Sequence, residues 1–408
     1  LMTNAIFIKF SGLMLAAGLL STGCEAPRST EKSTSPVLNG ADILRTRPGV
    51  LPKGLKVGLI TNHTGHDRQR HRTLDFLLAS KELELKAIFS PEHGLHGTLD
   101  RHIGDSTDTN SGLKIFSLYG ATRKPSPEQL AGLDALIFDI QDIGCRFYTY
   151  ISTMGAAMEA AAQADILFIV LDRVNPIGGQ MVDGPVHQGD SQFIAFHNIP
   201  VQHGMTVGEL ALMFNKERGY RAHLQVVKVE GWSRSMLFDE TGQPWTNPSP
   251  NMRNLTQAIL YPGIGLLETA LSVGRGTDTP FEVIGAPYID DVSLARSLNA
   301  LHQPGVTFVP VRFTPKASIH KEQACRGVNI IVTQRHKIRP VVLGIEIAQK
   351  LHQMYPNKFP LDKVNRLLRH SPTLEAIDQG FPFPKIEALW QEDLNRFMHR
   401  RSKFLLYK

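Results

Sequence analysis

The sequence predicts an α/β protein, a Rossmann-like doubly wound parallel sheet domain joined to a smaller α+β auxiliary domain. Three observations carry that expectation. Short continuous apolar runs alternate with amphipathic stretches along the first half of the chain. Polar and aromatic side chains gather just after those runs, and the second half carries strand and helix patterns without the same alternation. Continuous apolar strands are what a parallel sheet covered on both faces by helices requires.

The elements follow in order. "LKVGLIT", "LKAIFS", "LKIFSLYG", "LDALIFDI" and "ILFIVLD" read as strands, with helical patterns at "TLDFLLAS" and "FYTYISTMGAAMEAAAQA". Residues 37–265 are assigned to this domain and residues 266–408 to the auxiliary one. There "SLARSLNALH", "LGIEIAQKLHQMY" and "IEALWQEDLNRFMHRRSKF" predict helices, and "VTFVPVRF" and "GVNIIVT" predict strands. Two lobes of this kind leave a cleft between them, the usual place for a ligand. The first strand-to-helix turn, "TNHTGHDRQ", has no G-x-G-x-x-G, and the chain has no G-x-x-x-x-G-K-[ST] and no G-x-S-x-G. No nucleotide cofactor is therefore expected, nor a serine nucleophile on an elbow.

Over 408 residues, 42% hydrophobic and 20% charged side chains are ordinary for a globular chain with a sizeable core. The formal charge of +6 permits an anionic partner, but its lysines and arginines are scattered, which argues against nucleic acid. Residues 1–23, with Lys9, an apolar stretch from Phe10 to Leu20 and the small residues Ser21, Thr22 and Gly23, read as a signal peptide. Cys24 then stands where a bacterial lipoprotein is lipidated, and residues 24–36 are too polar to pack and read as a flexible tether. The expected location is outside the cytoplasm, in the periplasm or cell envelope, held to a membrane by that anchor. Besides Cys24 only Cys145 and Cys325 remain, too few for a disulfide framework.

In open parallel sheets ligands bind beyond the carboxyl ends of the strands. Those ends carry Asn62, Glu92, Tyr119, Asp139 with Gln141, and Asp172 with Arg173 and Asn175. Turn formation and helix capping account for Asn62, Asp139 or Asp172 singly as well as chemistry does. Taken together they form a polar rim suited to a hydroxyl-rich ligand. Arg146, Tyr148 and Tyr150 follow closely, and Trp245 and Asn251 lie in a proline-rich loop expected to have little core to join. With amides and carboxylates, such rings suit a carbohydrate. "PEHGLHGTLDRH", with Glu92, His93, His96, Asp100 and His102, and the nearby His63, His66 and His71, could in principle ligate zinc. The spacing matches no known motif, so no metal is expected. His203 precedes a helix that Thr206 caps, and serves either the turn or a substrate.

"FSPEHGLHG", "IFDIQDIGCRFYTYISTM", "VLDRVNPIGGQMVDGPV", "VQHGMTVGELALMFN", "PWTNPSPNM", "YPGIGLLE" and "SVGRGTDTPFEVIGAPYID" resemble, in matching order, the bacterial exo-β-N-acetylmuramidases once catalogued as a domain of unknown function. The likeness runs over residues 37–408. Two departures are visible: Cys145 stands where a small residue such as alanine is usual, and "ETALSVGRG" stands where "EGTNLSVGRG" is common. The resemblance implies a glycoside hydrolase without cofactor that releases N-acetylmuramic acid from the non-reducing ends of peptidoglycan fragments. A non-catalytic muropeptide-binding lipoprotein is the alternative. Glycoside cleavage needs an acid and commonly a second carboxylate. Glu92 is the expected acid. Glu268, Glu282, Asp139 or Asp172 is the expected partner, unless the substrate's acetamido group attacks with a carboxylate or Tyr148 orienting it. Arg146 or Arg275 is expected to read the lactyl carboxylate, and Asn62, His93, Gln141, Tyr150, Asn175, His203 and Asn251 to line the sugar.

Overall fold

The computed structural model describes residues 36–97, 104–120 and 123–408. The expected signal peptide, the lipidation site Cys24 and all of the tether but Pro36 lie outside the described residues, as do Asp100 and His102. Twelve strands are present among the described residues: β1 (Leu55–Thr61), β2 (Leu83–Ser90), β3 (Ser106–Thr107), β4 (Lys114–Ser117), β5 (Ala135–Asp139), β6 (Leu167–Leu171), β7 (Asp183–Val186), β8 (Pro200–Gln202), β9 (Leu224–Val227), β10 (Val283–Ala286), β11 (Val306–Phe313) and β12 (Cys325–Val332). The helices are α1 (Gly40–Thr46), α2 (Thr73–Leu78), α3 (Pro127–Leu130), α4 (Tyr150–Gln163), α5 (Val207–Glu217), α6 (Leu255–Ile264), α7 (Asp291–Asn299), α8 (Pro340–Met354), α9 (Leu361–Leu368), α10 (Ser371–Asp378) and α11 (Phe383–Arg401).

The central sheet has the order β3-β4-β2-β1-β5-β6-β9. All of its pairings are parallel except that of β3, a two-residue exposed edge strand antiparallel to β4. Leaving β3 aside, the strands run third, second, first, fourth, fifth, sixth, the doubly wound arrangement the sequence predicts. The reason is visible in the side-chain alternation. Ile60, Phe89, Leu136, Phe138, Phe168 and Val170 join one apolar core, while their neighbours Leu59, Ile88, Ile137, Ile169 and Leu171 join another on the opposite face. Both faces are dry over the middle of these strands, so their central positions are apolar, while charged side chains such as Lys56, Glu84 and Lys86 fall near the strand starts.

The smaller part is an antiparallel sheet, β10-β12-β11, with α7 packed on it, followed by α8 to α11. Its apolar side chains, from Ile284 through Trp390 to Phe397, belong to the same core as Phe138 and Tyr261. α6 packs on α8 where Gly263 meets Gly344: a Cβ on Gly263 would stand 1.7 Å from the Pro340 carbonyl oxygen, so the two helices touch backbone to backbone.

At the switch point, between the carboxyl ends of β1 and β5, a doubly wound domain ordinarily opens a ligand crevice. Here the chain fills it. Thr61 Oγ1 donates to the Asp139 carbonyl (2.9 Å), the Gln141 amide donates to Thr64 Oγ1 (3.0 Å), and the Asp139 carboxylate accepts from Arg173 Nε (2.6 Å) and from the Thr73 hydroxyl. The open cavity lies elsewhere.

Candidate active site

A cleft of about 1100 Å³ lies beyond the ends of β2, β4 and β5. One wall carries Glu92 and His93, Tyr119, Arg123, the run Phe147–Tyr150, and Ser249 with Met252. The other carries Tyr261, Glu268, Arg275, Phe281 and the polar face of α9.

Glu92 reaches the cleft because β2 ends at Ser90 and Pro91 begins a tight loop. His93 is held at φ +69°, a left-handed conformation uncommon for a residue with a side chain. The loop closes at Gly97, φ +65°, where a Cβ would lie 1.8 Å from the His63 ring. His63 donates through Nε2 to the Asn247 carbonyl (2.5 Å), and burial lowers its pKa, so it stays neutral in that role. Half-buried Glu92 accepts a 2.8 Å hydrogen bond at Oε2 from Thr149, the residue before α4. One carboxyl oxygen is thereby fixed, and Oε1 makes no hydrogen bond to another described residue.

Where the two walls meet, their aromatic rings form the floor of the cleft. Tyr148 meets Tyr150 (5.1 Å, 84°) and Tyr261 (5.8 Å, 85°) edge to face, and Tyr261 meets Phe281 (4.7 Å, 88°). Tyr150 donates to the Pro248 carbonyl (2.6 Å), which pins the proline-rich loop. Burial pushes the Tyr148 phenol well above its ordinary pKa, so it is a neutral donor at the cleft surface. Glu268 accepts from Arg275 through Nη2 (2.7 Å) and Nε (3.2 Å), and the guanidinium lies 5.4 Å from the Phe281 ring centre.

The family profile described as exo-β-N-acetylmuramidase NamZ, N-terminal, matches residues 57–256, and its C-terminal counterpart matches residues 259–407. The chain belongs to the NamZ family of exo-β-N-acetylmuramidases. It is 40% identical, over the full length of both chains, to the peptidoglycan β-N-acetylmuramidase NamZ of Bacillus subtilis (strain 168). Two solved structures of DUF1343 family proteins from Bacteroides fragilis NCTC 9343 share the fold. One has a TM-score of 0.85 at 36% identity, covering 91% of this chain and 99% of the other. The second has a TM-score of 0.73 at 31% identity, covering 92% and 99%.

The NamZ-family cleft gathers some of the expected residues and leaves others out. Glu92, His93, Tyr148, Tyr150, Glu268 and Arg275 line it together. Arg146 does not. It is wholly buried, and its guanidinium donates to the carbonyls of Pro185 (3.0 Å), Leu367 (2.6 Å) and Leu368 (2.8 Å), so it cannot meet a substrate carboxylate. Asp139 is spent on Arg173 and Thr73. Asp172 caps α5, accepting from Gly208 N and Thr206 Oγ1 (both 2.8 Å) and from Tyr407 (2.5 Å). Gln141 donates to the carbonyls of Asp142 (2.8 Å) and Val174 (2.9 Å), and Asn62 and Asn175 are buried within their own turns, accepting from Thr64 N (2.9 Å) and Ile177 N (3.2 Å). Glu282 lies away from the cleft, accepting from Gln257 (2.8 Å) and Asn254 (3.2 Å). Asn251 stands between the lining residues Ser249 and Met252 but does not line the cleft, and Trp245 packs edge-on against Phe238 (5.1 Å) beside the core. Each of these was polar or aromatic at a strand end or loop, and each found its partner inside the protein.

His203 is fully buried. Its Nδ1 accepts from Met205 N (3.1 Å), which places the proton on Nε2, 3.7 Å from Asp142 Oδ2. Burial lowers His203 to about 3 and raises Asp142 to about 7. Among the described residues no cluster of three or more histidines, cysteines and carboxylates is disposed to hold a metal. Sequence reasoning missed Thr149, Arg123 and all of α9. A helical signal for α9 was present in "LDKVNRLLR", whose Leu361, Val364, Leu367 and Leu368 share one buried face.

Proposed function

We propose that this chain is an exo-acting glycoside hydrolase that removes N-acetylmuramic acid from the non-reducing ends of peptidoglycan fragments. Family membership names the sugar. The observation that carries the reading in this chain is Glu92, a half-buried carboxyl at a strand end, oriented by Thr149 and facing the aromatic floor of a large cleft. Glu92 protonates the glycosidic oxygen as the C1–O bond breaks, and water supplies the hydroxyl that ends on C1. Tyr148, a neutral phenol, donates to the substrate's acetamido group or ring substituents. Glu268, already bound to Arg275, is another carboxylate in the cleft, beside Asp362 at the start of α9.

Incubation with a muramic-acid-capped disaccharide tests this. The parent should release free N-acetylmuramic acid, and Glu92→Gln should bind the disaccharide but release the sugar about 10²–10⁴-fold more slowly. Binding by both proteins with turnover by neither would identify a muropeptide-binding protein instead.

The N-terminal pattern supports export and lipidation at Cys24, which would keep the enzyme at a membrane of the cell envelope beside its polymeric substrate. Expressed with its native N-terminus, the parent should partition with membranes and Cys24→Ala with the soluble fraction. Equal partitioning would count against the anchor.

A further inference from the structure

We propose that Arg366 and Arg369, at the carboxyl end of α9, read a carboxylate on the muramic acid side of the substrate, and that buried Arg146 is the positioning residue that holds them over the cleft. This rests on the proposed muramidase function.

Arg275, expected from the sequence to read the carboxylate, is already held by Glu268 through two hydrogen bonds. Arg366 and Arg369 also line the cleft, and their side chains make no hydrogen bond or ion pair to another described residue. Guanidinium groups left without a counter-ion at the edge of a cavity suit a bidentate carboxylate.

The backbone supplies a second observation. Arg369 ends α9 at φ +57°, ψ +41°, the left-handed position where helices favour glycine because a Cβ is crowded there. Asn365 secures that conformation twice, its carbonyl accepting from Arg369 N (3.0 Å) and its Oδ1 from His370 N (2.8 Å). The left-handed turn at Arg369, which glycine would make more easily, stands where its side chain meets the cleft.

Arg146 completes the device. Its Nη2 donates to the carbonyls of Leu367 and Leu368 (2.6 and 2.8 Å), two of the groups a helix leaves unpaired at its carboxyl end. Arg146 precedes Phe147 and Tyr148 of the cleft floor, so this contact ties the floor to the opposite wall and fixes where Arg366 and Arg369 stand.

The carboxylate has two possible sources: the free lactyl group of an unsubstituted muramide, or the acidic side chains of a stem peptide amidated to it. Three substrates separate them: an aryl β-N-acetylmuramide, its lactyl amide, and a muramoyl peptide. Arg369→Gly and Arg366→Gln should each lower kcat/KM on the charged substrate about tenfold or more, chiefly through KM, while changing turnover of the lactyl amide less than twofold. A loss on the free muramide assigns the lactyl group, and a loss confined to the muramoyl peptide assigns the stem. Arg369→Gly should also melt at a higher temperature, because glycine relaxes the left-handed turn. Arg146→Lys keeps the charge but is less suited to bridging two carbonyls and should raise KM with little change in kcat. If Arg146→Lys does not fold, the two α9 variants still decide. An unchanged charged-to-amide ratio in both α9 variants overturns the proposal while leaving the muramidase reading standing. Absence of turnover of every muramide by the parent overturns both.

Discussion

Two carboxylates leave the same sheet in the same way and meet opposite fates. Glu92 follows β2 and Asp139 ends β5, each at a strand's carboxyl end, where α/β proteins place ligands. Asp139 is wholly buried, and the chain supplies its partners, Arg173 at 2.6 Å and the Thr73 hydroxyl. Glu92 receives one hydroxyl from Thr149 and otherwise faces open space. A strand-end carboxylate becomes a candidate for chemistry when the protein leaves its second oxygen to a ligand, and a structural tie when the protein satisfies both. The difference lies in what the rest of the fold brings to the site.

Glu92→Gln should produce the largest change, the 10²–10⁴-fold fall in turnover described above, with the melting temperature close to the parent's because no buried charge loses a partner. Asp139→Asn should do the reverse. It leaves the Arg173 guanidinium buried without its counter-charge, at a cost of about 3–5 kcal/mol in stability, while kcat of the folded fraction stays within about twofold of the parent. Chemical denaturation and active-site-normalised kinetics separate the two outcomes. A catalytic collapse in a fully stable Asp139→Asn protein would break the comparison.

Asp142 sharpens it, as a carboxyl buried without a full set of partners. Its Oδ2 accepts from Gly144 N (2.7 Å), its Oδ1 has no hydrogen bond among the described residues, and the groups that face it are neutral His203, the Tyr148 phenol and Cys145. Burial raises it from 3.8 to about 7. The stability this proton contributes is therefore present below about pH 4 and lost as pH rises through about 7. Asp142→Asn removes that dependence, so relative to the parent the variant should gain ~2–3 kcal/mol between pH 5 and pH 8. The opposite titration of His203 is common to both proteins and cancels. A parent-minus-variant difference that stays flat with pH would show that Asp142 is ionised throughout.

The fold was legible because its cause is local. Continuous apolar runs such as "LKVGLIT" mark strands buried on both faces, and that run is β1 residue for residue. Glu92 was legible for a similar reason, since the loop that exposes it is written in Pro91, Gly94 and Gly97 beside it. Arg146 was not legible, because what decides its role is a pair of carbonyls more than 200 residues away. The same holds for Asp172, whose partner Tyr407 is 235 residues away. Of the second wall, Glu268 and Arg275 were legible, but α9 was missed because it is short. Its four apolar positions look like any small amphipathic helix, and only tertiary packing places its charged face along the cleft.

The central claim is that Glu92 gives its proton to the departing oxygen, and a series of aryl β-N-acetylmuramides with increasingly acidic phenols tests it most directly. A good leaving group needs little protonation. The defect of Glu92→Gln should therefore shrink from about 10²–10⁴-fold on the natural disaccharide toward parity on the most acidic phenol. A defect of constant size across the series would contradict the assignment and move the acid to Glu268, the other glutamate in the cleft.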